Sequence, residues 1–526
     1  MKVSRIADAA TAAALETAWL YRALEPGSAF GRRAFEEMMP FAPGAEREAQ
    51  ARAAEVIRIS RGWAPERISA MRDALRACPD PLPAISRAAM GETLEDAHLL
   101  EILRFLDCGQ RVEDTAAFGA QLGALAAELE TGRAGTFGFY LSDAFDSALA
   151  NARAEAERAQ AHFEAARARV AQRAGTALER EGLGGAEFIV MRDTVQSLPP
   201  HVRVVREAPT YYLCELDLDE TALAALARRD EAAAASAGCE RRVRERLSAA
   251  VRAALPQLHA LLSSLAQADV DLAQAHFTQR YACVAPVIEA RPRIAFEGGS
   301  LLPLQAELIA QGRSYEPISV DVSEPAVITG PNMGGKSAAL RTCGFIALLA
   351  AFGIPVPARA ARCALFDDIA WLGAASAESS ETRLLSSFAS EIVRLNELLA
   401  RPRVRPLLLV DEFARTTTPH EGSALLISLL RTLRARGRLA FAATHLAQVA
   451  SHAQVPHYAV RGLRELPASP ANDLASALDA LALAMDYSVF EVRGGDEAKS
   501  DAIALAQLLG LDEEIVAGAK EQSWIR

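Results

Sequence analysis

The sequence predicts a protein of mixed architecture: an all-α part with two long helices and a small β tip, followed by an α/β part with a parallel sheet. Residues 1–290 are rich in alanine and arginine, which are good helix formers. From about residue 291, short apolar runs that end in polar residues alternate with helical stretches. This alternation is typical of a parallel sheet with helices on its faces, and it places a site at the carboxyl ends of the strands.

Composition limits the class of protein. Of the 526 residues, 51% are apolar and 23% are charged, which is ordinary for a soluble globular protein of about two to four domains. The net charge of −11 argues against a globally basic nucleic-acid binder and leaves a local basic stripe open. The seven scattered cysteines indicate reduced thiols rather than disulfides or a zinc site. No stretch resembles a signal peptide or a membrane span, so we expect a cytoplasmic protein.

Two long helices and a small sheet are predicted between residues 136 and 290. An apolar stripe with four-residue spacing begins at Leu141, and a second one runs from Val243 to Leu255, where Pro256 predicts a kink or a break. Between them, EFIVMRD and HVRVVREAPTYYLCELDLD alternate with period two and predict short strands. This pattern indicates an antiparallel pair of levers with a tip, and a coiled-coil spacer without a ligand is equally open. The arginines of the first helix alternate with glutamates, which favours a solvated face over a phosphate track.

The stretch VITGPNMGGKSAALR, residues 327–341, fits the pattern G-x-x-x-x-G-K-[ST] between an apolar strand and a helix. Glycines let backbone N–H groups point at phosphate oxygens, and the helix N-terminus adds partial positive charge. In such a loop Lys336 reaches the β- and γ-phosphates, and Ser337 is a ligand of Mg²⁺. The sequence therefore predicts a nucleotide site.

Two later strands supply further polar residues. The apolar run PLLLV ends at Asp411 and Glu412, which predicts a carboxylate in the Mg²⁺ shell and a glutamate that orients or deprotonates the attacking water. A third run, RLAFAATH, ends at His445, whose imidazole is placed to sense the γ-phosphate. A glutamate directly after the aspartate favours hydrolysis over binding alone.

In their order, TGPNMGGKS, LLLVDEFARTTTPHEG and FAATH resemble the ATPase domain of the MutS family, a branch of the ABC-type ATPases. The pair Asn332 and Met333 is more specific than the general phosphate-loop pattern. LLSSFASEIVRLNELL resembles the family's Ser-Thr-Phe signature and its following glutamate, with Ser386, Ser387, Phe388 and Glu391 in those places. Tyr315 falls where the family has an adenine-stacking aromatic residue, an assignment based only on its distance from the loop.

The resemblance implies ATP and Mg²⁺ as cofactors and a homodimer in which the signature serine of one subunit faces the γ-phosphate bound by the other. The implied catalytic residues are Glu412, Lys336, His445 and Ser386, and the implied metal ligands are Ser337 and Asp411. The implied nucleotide-binding residues are Gly330, Pro331, Asn332, Met333, Gly334, Gly335, Lys336, Ser337, Ala338 and Tyr315.

The resemblance also implies a division into four segments. These are a helical core domain (1–135), lever helices with a clamp-like tip (136–290), a P-loop ATPase domain of ABC type (291–470), and a C-terminal strand with dimerisation helices (471–526). The likeness covers residues 140–526 and is densest between 315 and 450.

Departures from the family pattern also carry information. Ala414 and Thr416 stand where glycines are usual, and Ser387 replaces the signature threonine. Mismatch sensors of the family have an N-terminal β-rich domain with a Phe-x-Glu wedge, whereas here Phe35-Glu36-Glu37 lies in a helical stretch and is read as a coincidence. We therefore expect a short relative that lacks a mismatch reader.

Two functions stay open from the sequence. One is a dimeric ATPase whose clamp opens and closes on double-stranded DNA, as in mismatch repair. The other is a protein-remodelling ATPase, for example a reactivase for a cobalamin-dependent aminomutase. The acidic net charge and the mixed charges of the lever helices favour this second function. A nucleotide-dependent structural dimer with negligible turnover is a third possibility, and the Asp411-Glu412 pair argues against it.

Overall fold

The structure is a computed structural model. It describes residues 1–112, 119–135, 138–178, 187–331, 335–373, 387–401, 405–415, 417–446, 448–463, 485–493, 503, 506–507 and 511–522. The chain forms two compact units, one of Met1–Ala77 with Ala266–Arg526 and the other of Cys78–Leu265. The predicted mixture of helices and several sheets is confirmed. Within the described ranges, no helix is long and apolar enough to cross a membrane.

The elements are numbered in chain order. The described helices are α1 (Ala9–Ala14), α2 (Thr17–Ala23), α3 (Ala29–Glu37), α4 (Glu46–Gly62), α5 (Pro65–Arg76), α6 (Leu82–Ala89), α7 (Asp96–Arg111), α8 (Ala120–Glu130), α9 (Ser147–Ala177), α10 (Glu220–Ala253), α11 (Leu255–Arg280), α12 (Leu302–Ala310), α13 (Lys336–Ala351), α14 (Ser387–Ala400), α15 (Pro419–Ala435), α16 (Gln448–Ala453) and α17 (Glu513–Gln522). The described strands are β1 (Arg133–Ala134), β2 (Gly138–Phe139), β3 (Glu187–Met191), β4 (Val202–Glu207), β5 (Tyr211–Leu216), β6 (Val287–Glu289), β7 (Ile294–Gly299), β8 (Ile318–Val322), β9 (Ala326–Thr329), β10 (Ala360–Ala364), β11 (Asp368–Leu372), β12 (Pro406–Asp411), β13 (Leu439–Ala443), β14 (His457–Leu463) and β15 (Met485–Glu491).

The unit Cys78–Leu265 contains the predicted long helices. Phe163 and Val170 of α9 are buried against Ala222 and Ala225 of α10, and β3, β5 and β4 form an antiparallel three-stranded sheet between the two helices in the chain. The two long helices and the β element between them are confirmed. The predicted break is confirmed as well, since α10 ends before Pro256 and α11 begins at Leu255.

Several arginines of α9, among them Arg153, Arg158 and Arg173, are bound to carboxylates. Arg153 donates to Glu240 at 2.7 Å and to Asp143 at 2.9 Å. Arg173 forms an ion pair with Asp219 across the helix ends. Arginines bound in this way offer less positive charge to a phosphate backbone, as the interleaving with glutamate predicts.

The other unit is built on a six-stranded sheet with the order β11-β12-β13-β9-β14-β15. All neighbours are parallel except β14 and β15, which are antiparallel. Strands β9, β12 and β13 are the three apolar runs from which the sequence predicts a parallel sheet, and they lie side by side. Almost every residue of α13 is buried, which explains why its sequence is apolar all round rather than amphipathic. A separate four-stranded sheet has the order β6-β10-β7-β8.

The first residues of the chain cover the edge strand β11. The backbone N–H of Ile369 donates to the carbonyl of Ile6 at 2.7 Å, and that of Trp371 donates to Thr11 Oγ1 at 3.0 Å. Leu15 is fully buried, and a methyl group added at Gly344 of α13 would lie 2.6 Å from its Cδ2 atom. An uncovered edge strand is a template for aggregation, so this segment completes the sheet.

Phe35, the aromatic residue of the Phe-x-Glu triplet, is 3% exposed in α3 and belongs to the same core. The interpretation of the triplet as a coincidence is confirmed, because a buried side chain of a helix is not available as a wedge.

Asp8 connects this N-terminal segment to the rest of the unit. Its carboxylate accepts from the backbone N–H of Thr11 at 3.0 Å, from Arg401 at 2.8 Å and from Arg394 of α14. Burial alone raises the pKa of Asp8, but the hydrogen bonds from Arg394, Arg401 and Thr11 outweigh it and lower the pKa to about 2. The charged form of Asp8 is therefore stabilised by folding.

We expect Asp8→Asn to lower the free energy of unfolding by about 2 kcal/mol at pH 7, because a pKa about two units below that of a free aspartate is worth that much. Stability of this origin is present above pH 4 and is lost as the pH falls from about 4 towards 2. Denaturant titrations of wild type and variant at several pH values measure the difference.

The control is Asp73→Asn, since Asp73 forms an exposed ion pair with Arg76 and both side chains are 62% exposed. That change should alter stability by less than about 0.5 kcal/mol. A difference between Asp8→Asn and wild type that stays constant down to pH 3 would contradict the assignment.

Candidate active site

The predicted site residues of three strands meet at one edge of the six-stranded sheet. Strands β9, β12 and β13 run parallel, with Asp411 opposite Ala443 and Ala443 opposite Ile328. Their carboxyl ends therefore lie side by side and are followed by the phosphate loop, by Glu412 and by His445. The structure brings together the groups that the sequence places at three separate points of the chain.

The described part of the phosphate loop needs glycine at both ends. Gly330 has φ 150° and Gly335 has φ 90°, which are values that favour glycine. A side chain at Gly330 would also lie 3.1 Å from the Cβ atom of Val460 in β14. These two conformations set the direction of the backbone where it leaves β9 and where it enters α13.

Lys336, the first residue of α13, is only 5% exposed. Its Nζ donates to the carbonyls of Gly330 and Pro331, both at 2.9 Å. Burial lowers the pKa of Lys336, and the nearby carboxylates of Glu412 and Asp411 partly oppose that effect. The ammonium group of Lys336 thus bonds to two carbonyls of the loop itself, and a bound phosphate oxygen would compete with these carbonyls for the ammonium group.

Ser337 and Asp411, the predicted metal ligands, are in direct contact. The hydroxyl of Ser337 donates to Asp411 Oδ1 at 2.9 Å. Burial raises the pKa of Asp411, while the hydrogen bond from Ser337 lowers it. A hydroxyl and a carboxylate at this spacing fit Mg²⁺, which takes one or two protein oxygens and completes its shell with phosphates and water.

Glu412 and His445 form a second contact beside the lysine. His445 Nε2 lies 2.6 Å from Glu412 Oε1, and Lys336 Nζ lies 3.4 Å from His445 Nδ1. One tautomer of the imidazole satisfies both contacts, with Nε2–H donating to Glu412 and Nδ1 accepting from the ammonium group. Arg415 Nη1 lies 3.3 Å from the other oxygen of Glu412. The carboxylate is thereby oriented on both sides.

Some of the predicted site residues lie in the part of the chain that the structure describes, and others do not. Asn332, Met333, Gly334 and Ser386 lie outside the described residues, and so does Thr416. Ala338 lies in the first turn of α13, where its carbonyl accepts from Thr342 Oγ1 at 2.7 Å. The hydroxyl of Tyr315 accepts from the backbone N–H of Leu301 at 2.8 Å, and the ring packs against the core beside the sheet. Its predicted contact with adenine stays a prediction.

One aromatic residue next to the loop is missed by the sequence analysis. A Cβ atom added at Gly335 would lie 3.3 Å from Cδ1 of Tyr487, so this ring of β15 lies next to Gly335 at the end of the loop. The segment MDYSVF predicts a strand, but its spacing from the loop does not indicate that the strand pairs with β14 and returns to the site. Only the sheet order makes that visible.

Residues 326–524 match the family described as MutS domain V. This match begins at β9 and includes the loop, Asp411, Glu412, His445 and Tyr487. Over this part of the chain, the sequence is similar to MutS domain V.

Similar proteins of known description also carry the name MutS. The protein named endonuclease MutS2 from Pelotomaculum thermopropionicum is 29% identical over 283 residues, which are 53% of this chain and 33% of the relative. Those of Agathobacter rectalis and Shouchella clausii are 30% and 31% identical over 274 and 284 residues, or 51% and 54% of this chain and 31% and 33% of the relatives. The aligned part of this chain thus spans about a third of each relative's length.

Proposed function

We propose that this chain is a MutS-type ATPase that binds ATP and Mg²⁺ at the site described above and hydrolyses ATP as a homodimer. The observation that carries the proposal is the cluster of Lys336, Ser337, Asp411, Glu412 and His445 at the carboxyl edge of one parallel sheet. The domain would be a P-loop ATPase of the ABC type, and the match to MutS domain V supports this.

Each residue has a separate role in the proposal. Lys336 leaves the carbonyls of Gly330 and Pro331 and binds the β- and γ-phosphates, whose oxygens are stronger acceptors. Ser337 and Asp411 hold Mg²⁺, which neutralises charge on the phosphate oxygens when it is bound. The backbone N–H groups of the loop and the N-terminus of α13 bind the remaining phosphate oxygens.

Glu412 acts on the attacking water. Its carboxylate orients the water and accepts a proton as the water oxygen bonds to the γ-phosphorus and the bond to the bridging oxygen breaks, which leaves ADP and phosphate. His445 holds the carboxylate through its Nε2–H and lies within reach of the γ-phosphate. Ser386 of one subunit would face the γ-phosphate held by the other subunit.

We further propose that ATP binding and hydrolysis open and close a clamp formed by the long helices on double-stranded DNA, as in mismatch repair. The relatives are named endonucleases, and this supports nucleic acid over a protein client. The alternative, a protein-remodelling ATPase such as a reactivase for a cobalamin-dependent aminomutase, has no support from the names of those relatives. The ion-paired arginines of α9 offer less positive charge to DNA phosphates, and this observation argues against the DNA proposal.

The test is the rate of ATP hydrolysis with and without duplex DNA across a salt titration. Because phosphate contacts release counterions, we expect stimulation at about 50 mM salt that falls steeply by about 200 mM. The rate without DNA should change little over the same range. Rates that are unaffected by DNA at every salt concentration would contradict the DNA proposal and favour a protein client.

A further inference from the structure

The turn that carries Glu412 has an unusual backbone. Glu412 has φ 52° and Ala414 has φ 61°, so two residues with side chains adopt left-handed conformations within three positions. Each is less favourable than an ordinary conformation for a residue that has a side chain. Such a turn persists only where the surrounding structure holds it.

Among the described residues, three hydrogen bonds from backbone N–H groups hold this turn. The N–H of Glu412 donates to the carbonyl of Ala443 at 3.1 Å, and the N–H of Thr417 donates to the carbonyl of Ala414, also at 3.1 Å. The N–H of Ala414 donates to Glu391 Oε2 at 2.8 Å. The first two bonds join backbone groups and do not depend on side-chain identity, whereas the third requires Glu391.

Glu391 is an unusual residue for its place. It lies in α14, it is only 8% exposed, and its neighbours Leu395 and Leu398 on that helix belong to an apolar cluster with Phe413 and Ala414. Burial raises the pKa of Glu391, and the hydrogen bond from Ala414 lowers it. A buried carboxyl group is costly unless it is well bonded, so an apolar residue would serve packing better at this position.

We propose that Glu391 is a positioning residue for ATP hydrolysis: its bond to Ala414 N–H keeps the turn 412–414 left-handed, so that the Glu412 carboxylate stays beside His445. This inference rests on the proposed function. Helix α14 begins at Ser387, one residue after Ser386, so Glu391 also joins the start of this helix to the catalytic turn. A movement of α14 would then reach Glu412 through this hydrogen bond in addition to the apolar contacts of the helix with Phe413 and Ala414.

The test compares two substitutions of similar size. Glu391→Met fills the same volume in a helix but cannot accept the hydrogen bond, whereas Glu391→Gln retains an acceptor oxygen. We expect Glu391→Met to lower kcat about tenfold or more with little change in KM or in ATP affinity, because only the geometry of the reacting groups is disturbed. Glu391→Gln should retain most of the activity. Glu397→Ala, on an exposed position of α14, is the matched control and should match wild type.

A further substitution, at Ala414, tests how Glu391 positions the turn. Ala414→Gly keeps the N–H group and removes the penalty for a left-handed conformation. In the Glu391→Met background it should therefore restore part of the lost kcat, and a role of Glu391 in packing alone would not produce this rescue. Thermal unfolding and ATP binding of each variant show that the chain is folded.

Three results would overturn the inference: normal kcat in Glu391→Met, an equal loss in Glu391→Gln, or no rescue by Ala414→Gly. The proposed function fails separately. If Glu412→Gln hydrolyses ATP at the wild-type rate in the same assay, the ATPase assignment itself is wrong. If Glu412→Gln is inactive and Glu391→Met is normal, only the positioning role is wrong.

Discussion

Glu412→Gln is expected to bind ATP with wild-type affinity and to hydrolyse it at least about a hundredfold more slowly. Glutamine keeps the size of the side chain and can still accept the hydrogen bond from His445 Nε2. It cannot accept a proton from water, so the loss falls on the chemical step. Single-turnover hydrolysis and equilibrium binding of ATP, measured on the same preparation, separate the two effects.

Glu397→Gln provides the matched control, because Glu397 is a surface glutamate whose side chain is 60% exposed. It should leave both binding and hydrolysis unchanged. Near-normal turnover in Glu412→Gln would remove Glu412 from the role of water-activating group. A loss of ATP binding equal to the loss of rate would instead indicate that the residue supports the site as a whole.

Mixed dimers are expected to recover activity that two variants lack alone. Ser386→Ala leaves the phosphate loop intact, and Lys336→Ala leaves the signature serine intact. If the serine acts across the dimer, a mixed dimer has one complete site out of two. Random exchange of subunits should then restore about a quarter of the wild-type rate, since about half of the dimers are mixed. The measurement is the ATPase rate of the mixture after exchange.

The control mixture is Lys336→Ala with Glu412→Gln. Both changes affect the side of the site that holds the phosphate loop, so every site in that mixed dimer is defective and no recovery is expected. Absence of recovery in the Ser386→Ala mixture as well would contradict a site shared between subunits. Equal recovery in both mixtures would show that Ser386 and Lys336 do not act on opposite sides of a site shared between two subunits.

The sequence predicts the sheet that carries the site because its signals are local. PAVIT, PLLLV and RLAFAATH are short, apolar and followed by polar or glycine residues, and a buried parallel strand requires this pattern. Their order places Lys336, Asp411 and His445 at one edge. The contacts of Ser337 with Asp411 and of His445 with Glu412 agree with that placement.

The boundary predicted for the N-terminal segment differs from the boundary between the two compact units. Residues 1–135 are expected to form one helical core segment, yet Met1–Ala77 packs in the unit of the six-stranded sheet and Cys78 begins the other unit. Hydrophobic periodicity indicates which face of a helix is buried and not what covers it. The bonds of Ile6 and Thr11 to β11 join residues more than 350 positions apart, and no local pattern encodes them.

The turn formed by residues 412–414 shows the same difference between what the sequence predicts and what packing decides. Ala414 in place of glycine is visible in the sequence, but its φ of 61° and its bond to Glu391 are not, because they depend on how α14 packs in the apolar cluster that contains Phe413 and Ala414. Tyr487 is likewise placed next to Gly335 by the pairing of β14 with β15.

By itself, the sequence determined the strand and helix types, the phosphate-loop pattern and the MutS resemblance, since each depends on residues close together in the chain. Only the tertiary structure decided what covers the edge of the sheet, how Glu412 is held and which aromatic ring lies next to the loop. Those features arise from contacts between segments that are distant in the chain. The free energy of such contacts depends on three-dimensional packing, and no periodic pattern in the sequence encodes them.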